Sequence, residues 1–225
     1  QEFTANVSHE LKTPLTSISG YAELIETGIA KPEDTPGFAR KIHVEASRMI
    51  QLVNDILQLS HLDNVSETGA APAMETVDLL DVARECVERQ KVNARHSYIS
   101  LTYLGESAPV TGSRILLDEL CQNLCDNAIR YNRPGGKVQI ITACTRDGHC
   151  TLTVKDNGIG IPKDAQSSVF ERFYRVDKSR SKATGGTGLG LAIVKHIARI
   201  HNARIKLDSV VDEGTTITVI FETAS

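Results

Sequence analysis

Four groups of residues in this chain have types and spacings that can do chemistry. The first is His9 followed by Glu10. They sit in a segment where Phe3, Val7, Leu11, Leu15, Ile18, Ala22 and Ile25 recur every three or four residues, the period of an amphipathic helix. At about 100° per residue, His9 lies about 200° from both Val7 and Leu11, outside that apolar stripe. It shares its face with Asn6, Thr13, Thr16 and Gly20, small polar residues that leave room for a second protein to approach the ring. A neighbouring carboxylate can hydrogen-bond one ring nitrogen and leave the other nucleophilic. With a reference pKa of about 6.5, the imidazole needs little help to be neutral near pH 7. The bland alternative is a solvated helix face.

The other three groups lie in the second half. Asn123 and Asn127 are spaced i, i+4 on one predicted helix, so both carboxamides share a face. Neutral amide oxygens suit a Mg²⁺ that keeps several waters and is shared with phosphates. The run Asp156-Asn157-Gly158-Ile159-Gly160-Ile161-Pro162 sends a carboxylate out of a strand into a turn whose glycines let backbone approach a ligand. A carboxylate only accepts hydrogen bonds, so it matches an exocyclic amino group such as that of adenine. Gly185-Gly186-Thr187-Gly188-Leu189-Gly190-Leu191 runs into a helix, whose first amides and dipole favour phosphate. No Lys-Ser/Thr follows these glycines and no strand precedes them, which rules out the P-loop and Rossmann readings. Between the two glycine runs, Phe170-Glu171-Arg172-Phe173-Tyr174-Arg175 gathers aromatics in a chain with only 4% of them. The polar stretch to Gly186 reads as a mobile lid, with Arg175 or Lys178 able to meet phosphate; a flexible surface loop is its bland alternative.

These groups need elements to hold them. At 225 residues the chain has room for about one and a half domains. The first helix stops at Thr27-Gly28, a loop runs from Lys31-Pro32 to Thr35-Pro36, and a second helix carries Phe38, Ile42, Met49, Leu52, Val53, Ile56 and Leu59. A two-helix hairpin cannot cover two such stripes alone, so a symmetric partner completing a four-helix bundle is expected. The polar residues 66–74 read as a linker. Beyond them strands are expected at Glu75–Leu79, Tyr98–Leu104, Lys137–Thr145, Cys150–Lys155, Ala203–Ser209 and Thr215–Glu222. Helices are expected at Leu80–Ala94, Arg114–Tyr131 and Leu189–His201. The fold class is α+β multidomain: a helical hairpin, then an α/β sandwich of ordinary domain size.

In this order the segments resemble the sensor histidine kinases of two-component systems. Phe3 to Leu15 is similar to the family's H box, Leu117 to Tyr131 to its N box, Val154 to Pro162 to its first glycine box, Phe170 to Asp177 to its F box, and Gly186 to Leu191 to its second glycine box. The likeness runs from Gln1 to about Glu222. It implies a Bergerat ATP-binding fold in 75–225, a phosphotransfer hairpin in 1–65, and ATP with Mg²⁺ as ligands. It also implies that His9 accepts phosphate, with Glu10 as its base or orienting partner and Thr13 positioning water for a phosphatase reaction. Asn127, helped by Asn123, would hold Mg²⁺. Asp156 would bind the adenine amino group, Tyr131 would stack near the base, and Arg175 would reach the terminal phosphate. Gly158, Gly160, Gly186, Thr187, Gly188, Leu189 and Gly190 would shape the cleft and lid. Arg130 stands where the family often has a Lys contacting phosphate and, being cationic, would keep that role with altered geometry; Cys125 stands where Leu is commoner, and Asn132 where Ser or Thr is frequent. The implied partners are a second copy of the chain and the receiver domain of a response regulator.

Two rivals fit less well. A Bergerat-type ATPase of the gyrase or chaperone kind lacks the exposed-histidine hairpin, and a decayed docking module would not keep Asn127, Asp156 and the glycines. Charge and composition exclude other classes. A net charge of -3 gives no footprint for nucleic acid, and no apolar run approaches the ~18 residues of a membrane span. The start at Gln1 suggests the cytoplasmic portion of a longer, membrane-anchored protein. Five cysteines without zinc-ribbon spacing suggest reduced thiols. Cys121 and Cys125 read as helix filler rather than metal ligands, and His196 and His201 as cations complementing a helix C-terminus.

Overall fold

The computed structural model describes residues 2–68, 72–177 and 186–222. These form two compact units: residues 2–58 with Gly186 and Thr187, and residues 59–177 with 188–222.

The first unit is built on α1 (Glu2–Glu26) and α2 (Thr35–Thr68). α1 passes through Pro14, which cannot supply the helical hydrogen bond to the Glu10 carbonyl. It ends where Gly28 turns left-handed at φ 70° and the Ala30 N–H reaches back to the Leu24 carbonyl at 2.8 Å, a glycine-terminated helix end. α2 starts at Thr35, so Pro36 belongs to its first turn rather than to the loop; a proline there loses no helical hydrogen bond. Near the hairpin tip Tyr21 stacks on Phe38 at 5.5 Å, with the Lys41 ammonium 5.1 Å from the Tyr21 ring centre. The apolar stripes are only half covered. Of the stripe residues Leu15 is 56% and Val53 41% exposed while Leu52 and Leu59 are buried, and Ile50 and Leu57, outside the predicted stripe, are each 64% exposed.

α2 runs on through residues 66–68, and 72–74 have no regular structure; 69–71, the middle of the stretch read as linker, lie outside the described residues. The second unit has β1 (Glu75–Asp78), α3 (Leu79–His96), β2 (Ser100–Gly105), β3 (Pro109–Gly112), α4 (Arg114–Arg130), β4 (Lys137–Cys144), β5 (His149–Asp156), α5 (Gly190–Ile200), β6 (Arg204–Val210) and β7 (Gly214–Glu222). Among the described residues, five strands make one sheet in the order β2-β4-β5-β7-β6. β2 is parallel to β4 and the other neighbours are antiparallel. β1 and β3 pair separately; β3 is an element that the sequence pattern does not predict.

Alternation explains the layering. Val138, Ile140, Cys150, Leu152, Val154, Ile217, Val219 and Phe221 point to one buried face, while the intervening residues stay part-exposed, the pattern of a sheet covered on one side. Leu117, Leu120 and Leu124 of α4 and Ile193 and Ile197 of α5 complete that core, each burial contributing roughly 1.5–3 kcal/mol. α3 is started by Asp78, whose carboxylate accepts the Leu80 N–H at 2.9 Å and the Ala108 N–H at 2.8 Å. Burial alone would raise the Asp78 pKa, but these bonds and one from Ser107 hold it below its ordinary value.

One expectation is overturned. Cys144 and Cys150 stand directly opposite each other on β4 and β5 and are joined by a disulfide. Sequence spacing alone does not reveal the cross-strand register that makes this possible. Cys86, Cys121 and Cys125 are free thiols, as expected.

Candidate functional site

In the first unit His9 is exposed on α1. The Thr13 hydroxyl donates to the His9 carbonyl at 3.3 Å, so Thr13 lies one turn on along the same face. Glu10 is flanked by α2: the Arg48 guanidinium comes within 3.9 Å of its carboxylate. That ion pair ties the Glu10 side chain to α2, next to His9 in the chain. The sequence pattern gives Arg48 no role, because the pairing is set by how the two helices meet.

In the second unit, three elements converge. α4 presents Asn123 and Asn127, with Tyr131 as its C-terminal cap. The Asn123 amide donates to the Glu119 carbonyl at 3.0 Å, which turns its oxygen outward. A Cβ on Gly190 would lie 3.0 Å from that oxygen and 3.5 Å from Asn127 Nδ2. The carboxamide pair therefore faces the first residue of α5. The end of α4 also meets the first glycine run, where the Ile159 N–H donates to the Tyr131 carbonyl at 3.1 Å. A side chain on Gly158 would strike that carbonyl at 2.4 Å. Gly160 combines a left-handed φ of 68° with backbone packing that admits no Cβ. Arg130 is half-buried in the last turn of α4.

Asp156 ends β5. Its Oδ1 accepts the Gly158 N–H at 2.8 Å and the Thr215 N–H at 3.2 Å. Burial nevertheless pushes its pKa above the ordinary carboxylate value, the two amide bonds only partly opposing it. A carboxylate held in this way gains from an added hydrogen-bond donor at its outer oxygen.

The aromatic-basic run reaches the same place. Phe173 adopts a left-handed φ of 63°, a conformation costing a bulky residue roughly 1–3 kcal/mol. Its N–H donates to the Gly188 carbonyl at 2.9 Å. Gly188 is itself left-handed at φ 75°, and a Cβ there would come within 3.2 Å of Arg175 Nε. Arg175, Gly188, Gly190, Asn123 and Asn127 thus form a continuous surface at the α5 N-terminus, where backbone amides favour an anion. Leu189 anchors this turn through a wholly buried side chain, so what it offers a ligand is backbone.

Not every expected residue joins this surface. Gly186 and Thr187 belong to the first unit. There Asp55, buried on α2, accepts the Thr187 hydroxyl at 2.6 Å and the Gln51 amide at 2.7 Å. Lys178 and most of the expected lid lie outside the described residues. His196 and His201 are not cations on a helix end. Burial lowers both pKa values. His201 Nε2 must accept the Ser113 N–H at 3.0 Å, so its proton sits on Nδ1, 2.8 Å from the Ile197 carbonyl. The neutral ring joins the start of α4 to the end of α5. The Cys121 and Cys125 thiols draw the Cys86 pKa down, against the effect of burial. Among the described residues no group of His, Cys, Asp or Glu could hold a metal ion. No described helix is long and apolar enough to cross a membrane.

Comparison with known proteins gives two family matches. Residues 112–225 match the histidine kinase-, DNA gyrase B- and HSP90-like ATPase family, and residues 1–65 match the His Kinase A phosphoacceptor domain. The chain is 44% identical over 224 residues to the sensor-like histidine kinase SenX3 of Mycolicibacterium smegmatis, covering 97% of this chain and 56% of that protein. It is 40% identical over 219 residues to the sensor protein kinase WalK of Staphylococcus haemolyticus, covering 96% of this chain and 36% of that protein. It thus spans about half of one curated relative and about a third of the other. Histidine kinase ThkA, crystallised with the response regulator protein TrrA, superimposes over 100% of this chain and 62% of ThkA with TM-score 0.76 at 23% identity, a likeness of fold.

Proposed function

The chain belongs to the histidine kinases, and from that premise we propose that it moves the γ-phosphoryl group of ATP onto His9 and then onto an aspartate of a response-regulator receiver domain. The observation that carries this reading is the pairing of two surfaces on one chain. One is an exposed imidazole beside an oriented carboxylate. The other is a glycine-bounded cradle offering a buried acceptor for a base amino group and amides with an arginine for phosphates.

In the first step a His9 ring nitrogen attacks the γ-phosphorus. The N–P bond forms as the P–O bond to the β-phosphate breaks, ADP leaves, and the proton on the other ring nitrogen passes to Glu10. Catalysis of this kind is positioning and charge neutralisation. Asp156 holds the base, Tyr131 stacks near it, and Arg130 and Arg175 meet the phosphates with the α5 amides. Asn127 and Asn123 are suited to Mg²⁺, which supplies further charge neutralisation when bound; their donor set is hard neutral oxygen, which fits an ion shared with nucleotide. Gly158, Gly160, Gly188 and Gly190 give the backbone its close approach, while Gly186 and Thr187 belong to the lid stem. Thr13 positions water when the protein removes phosphate from its partner.

Residues 1–65 act as the phosphotransfer and dimerisation hairpin, 66–74 as linker and 75–225 as the ATP-binding domain. The exposed Leu15, Ile50 and Leu57 support a homodimer through the hairpin, and the ThkA–TrrA complex supports a receiver-domain partner. In the full-length protein this portion is cytoplasmic and joined to a membrane-anchored sensor. Incubation with γ-labelled ATP tests the reading. The expected result is acid-labile, alkali-stable label on the chain that disappears in His9→Ala. Label surviving in His9→Ala removes His9 from its role, and ATP hydrolysis without labelled protein favours a plain ATPase.

A further inference from the structure

The run Phe170 to Asp177 holds two arginines, and only Arg175 has a task so far. Arg172 is held at three points. Its Nη2 donates to Asp63 Oδ1 at 2.7 Å and Oδ2 at 2.9 Å and lies 3.1 Å from His196 Nε2. A guanidinium only donates, so Nε2 must accept and His196 is neutral, with its proton on Nδ1 facing Asp63 Oδ1 at 3.5 Å. Burial, which lowers the His196 pKa, keeps it in that form. Asp63 comes from the C-terminal part of α2, Arg172 from the segment after β5, and His196 from the middle of α5. All three belong to the second unit.

The residue after Arg172 is the strained Phe173. Its N–H is fixed by the Gly188 carbonyl, and two residues later Arg175 lies against Gly188. The bend is therefore fastened on one side to the glycine turn and on the other to Arg172. A left-handed aromatic residue persists only where its surroundings over-determine it. We propose that Asp63, Arg172 and His196 are positioning residues for the phosphoryl transfer: Asp63 and His196 hold Arg172 so that the Phe173 bend delivers Arg175 to the terminal phosphate. This rests on the reading of Arg175 given above. The neighbouring Glu171–Lys195 pair at 3.0 Å has both side chains more than half exposed and serves as the control, since such pairs contribute little.

Autophosphorylation rates of the 225-residue chain against ATP concentration, with separate titration by a non-hydrolysable ATP analogue, test this. In Asp63→Asn and Arg172→Lys the maximal rate falls about tenfold to a hundredfold. The KM for ATP and the affinity for the analogue stay within about twofold, as expected for an interaction made in the transition state. Lys195→Ala leaves the rate unchanged. Arg175→Ala alone lowers the rate at least as far, and adding Asp63→Asn to it lowers the rate no further. The swapped pair Asp63→Arg with Arg172→Asp recovers part of the loss. An unchanged or increased rate in Asp63→Asn, or full additivity with Arg175→Ala, overturns the inference. An undiminished rate in Arg175→Ala instead overturns the site reading beneath it. A loss that only tracks a lowered melting temperature assigns the cluster to stability and also overturns the inference.

Discussion

The two units solve the burial of apolar surface in opposite ways. The α/β unit closes on itself: Leu117, Leu120, Leu152, Ile193, Ile197 and Phe221 are all essentially inaccessible to solvent. The helices of the first unit leave Leu15, Val44, Ile50, Val53 and Leu57 in water. The first arrangement suits a cleft that must keep its shape around a nucleotide. The second is an incomplete core, and its exposed faces are those assigned to a second subunit in the proposed homodimer. The proposed chemistry divides the same way, with the nucleotide cleft assigned to one unit and the exposed His9 nucleophile to the other.

The largest effect should come from breaking the closed core. Leu120→Ala on α4 should cost about 2–5 kcal/mol in denaturant unfolding of the α/β unit, because this side chain is wholly buried. Replacing the exposed Ile50 and Leu57 by Asp should leave that unit's nucleotide affinity unchanged and convert a dimer to a monomer in sedimentation. A dimer that survives this change contradicts the open-face reading.

Next in size is Asp156→Asn. If Asp156 holds the base as proposed, losing that charge-assisted bond should weaken ATP binding by roughly tenfold or more in calorimetric titration. The same substitution should not lower the melting temperature. A carboxylate whose pKa is raised by burial costs stability when ionised, and an amide oxygen can still accept the Gly158 and Thr215 N–H groups.

How much of this was legible beforehand follows from the range of each interaction. Helix and strand periodicities are local, so α1, α4 and the β4–β5 hairpin can be read from residue spacing. β3 is four residues beginning with Pro109 and ending with Gly112, too short and too rich in turn residues to show a period. It exists because β1 is there to pair with it. The glycine runs announce a close backbone approach, and the structure supplies its partners. The Asp63–Arg172 contact joins residues 109 apart and the Asp55–Thr187 bond residues 132 apart. No local pattern encodes such pairs, and Arg48, Asp55 and Asp63 remain anonymous helix positions until the fold is known. Likewise, no spacing of His201 alone reveals that the Ser113 amide needs its ring nitrogen.

Smaller effects probe how the closed unit is fastened. His201 and His196 have lowered pKa values in the fold, so the unfolded chain binds more protons once pH falls below about 6.5. Stability should therefore decline with falling pH from that value down through their lowered folded values, and level off beneath them. His201→Gln should flatten part of that slope in melts taken across the range. Asp78→Ala removes the α3 cap and should cost about 0.5–2 kcal/mol, read as a shift of the denaturation midpoint. The pH dependence contributed by Asp78 lies lower: stability present above the ordinary carboxylate range is lost as its depressed pKa is passed.

The proposed division of labour is tested most directly by where the phosphoryl group ends up. Peptide mapping by mass spectrometry under alkaline conditions, after incubation with ATP, should find one phosphorylated peptide containing His9 in the wild-type chain. It should find none in Asn127→Ala, where the cleft of the other unit is impaired. Phosphate on any other residue, or an unchanged His9 phosphopeptide in Asn127→Ala, would contradict the division of labour between the closed unit and the open one.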